Sequence, residues 1–117
     1  MQSLIILNRN PYDGTDVTWN ALRLAEQLLN ADVDVRLFLM NDSVDLAREG
    51  IAPQQYDFNL GEMLQALIDK GVPVKVCGTC MVRCGVGKGK VLLQGAVEAK
   101  MPELADWIKE ADTVITF

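Results

Sequence analysis

The chain of 117 residues has no histidine, only three cysteines, and few aromatic residues, which make up 6% of the sequence. The absence of histidine excludes a Cys–His catalytic dyad of the protease type. Three cysteines also cannot all pair with one another in disulfide bonds. Any cysteine chemistry must therefore depend on cationic side chains, on backbone N–H groups, or on both.

The sequence also lacks a positive surplus and a long hydrophobic run. It has 11 Lys and Arg against 16 Asp and Glu, a formal net charge of −5, which argues against general nucleic-acid binding. The apolar start, Leu4–Leu7, is short and has no basic region before it, so no signal peptide is expected. No segment approaches the roughly 18 apolar residues of a membrane span. We therefore expect a cytoplasmic protein with no membrane partner.

Length and composition predict one domain over residues 1–117. Hydrophobic residues make up 50% of the chain, enough for a core that needs no disulfide or metal. The mean hydropathy of +0.12 is high for a small monomer. Some apolar surface is therefore expected to be used between copies of the chain, in a homo-oligomer.

Short apolar segments alternate with segments of helical periodicity, which predicts an α/β fold with a parallel sheet and helices on both faces. Strands are predicted over residues 4–7, 33–40, 74–76 and 113–117, with a short fourth strand within 91–97. Helices are predicted over residues 16–30, 41–48, 60–70 and 101–111. Residues 51–58 are predicted to be an irregular loop, and 78–90 a glycine-rich loop with one helical turn.

Polar residues before the predicted helices indicate their N-terminal caps. Thr15 or Asp16 is expected to cap the first helix, and residues 41–43 the short second helix, which ends at Gly50. Asp13 and Asp16 are better interpreted as turn and capping residues than as an acid–base pair. In the last helix, Leu104, Ala105, Trp107 and Ile108 are expected to form the buried face.

All three cysteines lie between residues 77 and 84, directly after the third predicted strand. Ligands bind at the carboxyl ends of the strands in parallel α/β sheets, and the 8–16 loop follows the first strand at the same edge. The spacing Cys77-x-x-Cys80 is typical of redox dithiols and of half a zinc site. Cys84 adds a third sulfur within the same short segment.

The cysteines lie in a basic part of an acidic chain. Residues 75–90 contain four basic and no acidic residues, so the rest of the chain carries −9. One interpretation is simply a solvated loop. The other is that Arg83 and Lys88 lower the pKa of a cysteine thiolate, and that the same charges stabilise an anionic persulfide.

A metal site is the second interpretation of Cys77, Cys80 and Cys84. Tetrahedral zinc and most iron–sulfur clusters take four ligands, and the chain has neither a fourth cysteine nor a histidine. A carboxylate, a water or a neighbouring subunit would have to complete the set. The glycines at 85, 87 and 89 match neither a P-loop nor a dinucleotide-binding fingerprint. No cofactor is therefore predicted, with zinc or an iron–sulfur cluster as the alternative.

Several blocks of sequence carry a resemblance to a known family. They are Pro11-Tyr12, residues 22–25 (LRLA), 35–42 (VRLFLMND), 72–80 (VPVKVCGTC) and 111–117 (ADTVITF). Through these blocks the chain resembles the DsrE/DsrF-like family along nearly its whole length, and within that family the YchN branch. The resemblance implies a three-layer α/β/α fold with a mainly parallel five-stranded sheet, and oligomers such as trimers or hexamers.

The resemblance also implies a function. Sulfur-relay members carry a persulfide on a cysteine that matches Cys77 and pass the sulfur between partner proteins. Cys80 matches a second cysteine of the YchN branch, and Cys84 matches no pattern of the family. The leading hypothesis is thus a persulfide carrier or sulfurtransferase with sulfur donor and acceptor proteins as partners, in which Cys77 holds the sulfur and Cys80 resolves it. The alternatives are a metal- or ligand-binding oligomer without turnover and a thiol redox switch.

Overall fold

A computed structural model describes residues 1–49, 58–83 and 92–117 of the chain. The strands are β1 (Gln2–Leu7), β2 (Asp34–Leu39), β3 (Val74–Cys77), β4 (Ala96–Ala99) and β5 (Thr113–Thr116). The helices are α1 (Val17–Asn30), α2 (Leu60–Asp69), α3 (Gly78–Arg83) and α4 (Met101–Glu110), with a 3₁₀ helix at Asn41–Ala47. The order of strands and helices confirms the predicted α/β class.

The five strands form one sheet in the order β4-β3-β2-β1-β5, and every neighbouring pair is parallel. The chain moves in one direction from β1 through β4 and then returns across the sheet to β5. Because parallel crossovers are right-handed, α1 and α2 cover one face and α4 the other. The result is three layers, with the carboxyl ends of all strands at a single edge.

The core lies around the neighbouring strands β1 and β2. Leu4, Ile5, Leu37 and Leu39 are all fully buried, and Ile5 pairs with Leu37 in the sheet register. A strand covered on both faces has no solvent side, which explains the continuous apolar runs. The sequence prediction of strands at these two runs is thus confirmed.

Helix α4 is held against its face of the sheet by Trp107. The indole packs edge-on against Phe38 with ring centroids 6.3 Å apart. The Lys75 ammonium lies 4.5 Å from the Trp107 ring and 3.6 Å from a Glu103 oxygen. The Arg36 guanidinium also stacks on the indole, at 5.2 Å. This face therefore engages Lys75, one of the four basic residues of the 75–90 window.

Three details of the predicted elements are wrong. The fourth strand is Ala96–Ala99 rather than within 91–97, while Leu92 instead forms an isolated antiparallel bridge with Arg48. Residues 41–43 belong to the 3₁₀ helix itself and do not cap it from outside. Ile108 is 44% exposed rather than on the buried face of α4, and Ala105 is exposed too.

Other predictions fall on residues 50–57 and 84–91, which lie outside the described part of the chain. They include the helix stop at Gly50, nearly all of the irregular loop, and the glycine-rich loop beyond Arg83. The predicted helical turn after Cys77 is confirmed as α3. No helix in the described ranges is both long and apolar enough to cross a membrane.

Candidate functional site

The candidate site lies at the edge of the sheet where β1, β2 and β3 end. Asn8 follows β1, Asn41 opens the segment after β2, and Cys77 is the last residue of β3. The Asn41 side-chain amide donates to Asn8 Oδ1 at 2.9 Å, and Asn8 Nδ2 donates to the Phe117 carbonyl at 3.2 Å. These bonds join the ends of β1, β2 and β5. They also bring the 8–16 loop to the same edge as the cysteines, as the sequence suggested.

Cys77 is almost enclosed, with 4% of its surface exposed. It pairs with Ala99 of β4 and lies two residues after Lys75, so its side chain is on the α4 side of the sheet. Its Sγ accepts a hydrogen bond from the Cys80 backbone N–H at 3.5 Å. A sulfur in this position is held by α3, and an incoming molecule has little access to it.

Cys80 lies one turn further along, in α3, and is partly exposed. Its Sγ accepts the Asn41 backbone N–H at 3.2 Å. It also lines a cavity of about 380 Å³ together with Asn41, Asp42 and Arg83. Of the two described cysteines, Cys80 is thus the one that is partly exposed and lines a cavity, beside a cation and an N–H donor.

Asn41 is a residue of the site that the sequence analysis did not single out. Its φ is 53°, in the left-handed region that few residues other than glycine adopt. Asparagine tolerates this conformation better than most residues. The signal that could have identified it is a polar Asn-Asp pair at the carboxyl end of an apolar strand.

Glu98 is a second residue that the sequence analysis missed. It lies beside Val76 in the register of β4 with β3, and its carboxylate fills the space next to Gly78. A Cβ at position 78 would collide with the Glu98 carboxylate oxygen and lie 3.0 Å from its Cγ. The glycine between the two cysteines therefore leaves room for this close approach, and a larger residue would make the Glu98 side chain move.

Lys75 and Arg83, two basic residues of the 75–90 window, take different positions in the structure. Arg83 is exposed and lines the cavity at Cys80, as an activating role requires. Lys75 is instead engaged with Trp107 and Glu103 under α4. Cys84 and Lys88 lie outside the described residues, so their predicted roles remain predictions.

The metal alternative remains untested as a three-cysteine site. Within residues 1–49, 58–83 and 92–117, no three His, Cys, Asp or Glu side chains converge to hold a metal ion. Cys77 and Cys80 would supply two sulfur ligands, and Cys84 is not among these residues. Further donors from elsewhere would be needed for the four that zinc takes.

The 8–16 loop has a structural role beside the site. Asp13 Oδ1 accepts from the Thr15 N–H at 2.9 Å and from its hydroxyl at 2.6 Å. These bonds, the side-chain bond first, and the charge of Arg9 hold the pKa of Asp13 below its usual value. The Val17 N–H donates to Thr15 Oγ1 at 3.4 Å, whereas Asp16 makes no capping bond. The predicted turn role of Asp13 thus agrees with its contacts.

Comparison with known proteins places the chain in a family. The DsrE/DsrF-like family profile matches residues 1–117. The protein YchN of Escherichia coli is 38% identical over the full length of both chains, and its crystal structure superposes with a TM-score of 0.88. An uncharacterised protein of Methanocaldococcus jannaschii is 35% identical, also over the full length of both chains.

A more distant solved structure shares only the fold. It is a protein of unknown function from Methanobacterium thermoautotrophicum, 17% identical, with a TM-score of 0.71 over 99% of this chain and 98% of that one. The family profile, the full-length relatives and the YchN structure agree with the resemblance seen in the sequence blocks. The chain belongs to the DsrE/DsrF-like family.

Proposed function

We propose that this protein carries sulfane sulfur as a cysteine persulfide at the Cys77–Cys80 pair and passes it between thiol-bearing donor and acceptor proteins. One observation carries the proposal. Cys80 lines a cavity of about 380 Å³ together with Arg83, and its Sγ accepts a backbone N–H at 3.2 Å. These are surroundings in which an anionic sulfur is stabilised and remains accessible.

The transfer needs no cofactor and no net oxidation. A cysteine thiolate attacks the outer sulfur of a donor persulfide, R–S–SH, and forms a new S–S bond. The S–S bond of the donor breaks, its electron pair leaves with R–S⁻, and the proton stays on the transferred sulfur. An acceptor thiolate repeats the same exchange, so the protein returns to its starting thiol form. A reducing compartment such as the cytoplasm would keep that thiol available.

Contact between copies of the chain is part of the proposal, as the trimer or hexamer expected from the resemblance. Val97 and Val114 lie on the α4 side of the two edge strands, beside Lys75 and Leu4 in the sheet register. Val97, Val114 and Ile108 of α4 are each between 42% and 56% exposed. Apolar side chains at both flanks of α4 support burial of this face in an oligomer.

The experiment that tests the proposal is persulfide loading. The reduced protein is incubated with a cysteine persulfide donor, and its mass is measured intact and after digestion. We expect a gain of one sulfur atom within peptide 76–83, which trypsin releases with both cysteines. The Cys77→Ser/Cys80→Ser double variant is the control and should not gain it there. No gain of sulfur in the wild-type peptide would contradict the proposed function.

A further inference from the structure

The structure also points to which sulfur exchanges. We propose that Cys80 is the sulfur at which donor and acceptor exchange, and that Asn41 is the residue that positions it. This inference rests on the proposed persulfide function. The resemblance alone places the persulfide on Cys77, so the two assignments can be separated by experiment.

The two sulfurs differ first in how accessible they are to an incoming donor. Cys77 is 4% exposed, lies on the α4 side of β3 and has Ala99 beside it in β4. An in-line attack needs a donor sulfur to reach the thiolate, with a leaving group on the far side. Cys80 lines the cavity and provides that approach. Cys77, at 4% exposure, offers little surface to such an attack.

The two sulfurs differ next in the hydrogen bonds that they accept. The N–H that reaches Cys77 comes from Cys80 at 3.5 Å, whereas the N–H that reaches Cys80 comes from Asn41 at 3.2 Å. Both lie within the range of a sulfur acceptor, and the shorter one belongs to the accessible sulfur. A donor aimed at the sulfur favours its anionic form, the form that attacks and that persulfides adopt.

That N–H is held in place by the turn at Asn41. Met40 before it is extended, so the Asn41 N–H leaves the chain sideways as in a strand, and at φ 53° Asn41 then turns the chain away from the path of β2 and into the 3₁₀ helix. Outside glycine this conformation costs free energy, and such strain persists only where surrounding contacts impose it. The bond from Asn41 Nδ2 to Asn8 Oδ1, and that from Asn8 to the Phe117 carbonyl, supply these contacts. Asn41 therefore acts on the reaction through Cys80 and need not touch the substrate.

Substitutions at Asn41 test this role through the reactivity of Cys80, measured as the rate of alkylation by iodoacetamide in peptide 76–83. Asn41→Val disfavours the left-handed conformation, so alkylation of Cys80 should slow about tenfold. Asn41→Gly adopts that conformation freely and should stay within roughly twofold of the wild type. Cys77 should remain protected in both variants.

If Asn41 only stabilised the fold, its substitution would raise the alkylation rate of Cys80 rather than lower it. Asn41→Val would then loosen the fold, and both cysteines would become more reactive. Asp32→Val is the matched control, because Asp32 also has a positive φ, 62°, in the turn before β2. It carries the same backbone cost and should leave the alkylation of Cys80 unchanged. Equal slowing in Asp32→Val, or no slowing in Asn41→Val, would overturn the positioning role.

Persulfide mapping separates this inference from the function on which it rests. Fragment ions of loaded peptide 76–83 should place the extra sulfur on Cys80, and Asn41→Val should load more slowly than Asn41→Gly. Extra sulfur on Cys77 alone would overturn the inference and leave the proposed function intact. Absence of sulfur from both cysteines would instead remove the function, while the alkylation rates still decide whether Asn41 positions Cys80.

Discussion

Cys77 and Cys80 are three residues apart, yet they lie in different surroundings. Cys77 belongs to the sheet: it is paired to β4 and is 4% exposed, on the side covered by α4. Cys80 lies at the polar edge of the sheet, where β1, β2 and β3 end. There it accepts the Asn41 N–H and lines a cavity with Arg83. The two sulfurs differ because Cys77 is the last residue of β3, whereas Cys80 lies in α3, which begins at Gly78 and is not part of the sheet.

Two described cations, Lys75 and Arg83, differ in the same way. Lys75 is on the Cys77 side, and its charge is engaged by Trp107 and Glu103. Arg83 is on the Cys80 side, exposed and beside the cavity. Among the described basic residues of the 75–90 window, Lys75 therefore stabilises the packing of α4 near Cys77, and Arg83 lies beside the cavity at Cys80.

The largest expected effect comes from truncating Trp107, which holds α4 against the face of the sheet on which Cys77 lies. Trp107 is 7% exposed and joins α4 to β2 and β3, so Trp107→Ala should cost about 3–5 kcal/mol of unfolding free energy. Denaturant titration measures the loss, and Cys77 should then alkylate faster relative to Cys80. Trp107→Phe, which keeps a ring on Phe38, should lose clearly less. An unchanged Cys77 rate in Trp107→Ala would show that α4 does not shield this sulfur.

A second variant loosens the strand beside Cys77. Gly95 has a φ of 99°, and a Cβ there would collide with Ile68 Cγ2. Gly95→Ala combines backbone strain with that collision and should cost roughly 2–4 kcal/mol. Gly71→Ala, at φ 95° with nothing within 4 Å, should cost only about 1 kcal/mol. Thermal unfolding of the two variants checks the difference, and equal losses would contradict the described turn before β4.

Substitution of Arg83 or Lys75 is expected to have a smaller effect, which is measured on the alkylation rate of Cys80. Arg83→Gln should slow alkylation of Cys80 about two- to threefold, because exposed charges interact weakly. The difference should shrink at high salt. Lys75→Gln should leave the Cys80 rate unchanged and lower stability slightly through its lost contacts with Trp107. A larger effect of Lys75 than of Arg83 on Cys80 would reverse the assignment of the two charges.

The smallest expected effect concerns pH and the loop beside the polar edge. Hydrogen bonds from Thr15 and the charge of Arg9 lower the pKa of Asp13. A lowered pKa in the folded state stabilises the protein above the unfolded pKa, and this contribution is lost as the pH falls through the folded value. Asp13→Asn should therefore flatten the acid side of the stability profile slightly. A profile unchanged below the ordinary range of aspartate would contradict the described bonds of Asp13.

The sheet was predictable from the sequence because its signals are local. The apolar runs of β1 and β2 indicate burial on both faces. Helix α2 is equally local: residues 59–69 show its capping residue and its periodicity, and Asn59 Oδ1 accepts the Glu62 N–H at 3.0 Å. Strand β4 was placed several residues too early, because its exposed Val97 and Glu98 give no alternating pattern of buried residues. Edge strands of this kind are defined by their partner rather than by their own sequence.

The site was predictable in part. The position of the cysteines at the end of a strand follows from the chain, and so does the resemblance that names Cys77. The difference between Cys77 and Cys80 does not, because it depends on Asn41, which follows β2, and on Ala99 from β4, which are distant in sequence. The same holds for Lys75, whose partner Glu103 lies in α4. Pairings between distant segments leave no local pattern.

The most direct test of this account is the location of the persulfide in single-cysteine variants. Cys77→Ser and Cys80→Ser are loaded with the same persulfide donor, and the sulfur gained by peptide 76–83 is followed over time. The account predicts that Cys77→Ser loads at nearly the wild-type rate and that Cys80→Ser loads little. Undiminished loading of Cys80→Ser, with loss of loading in Cys77→Ser, would contradict it and assign the exchange to Cys77.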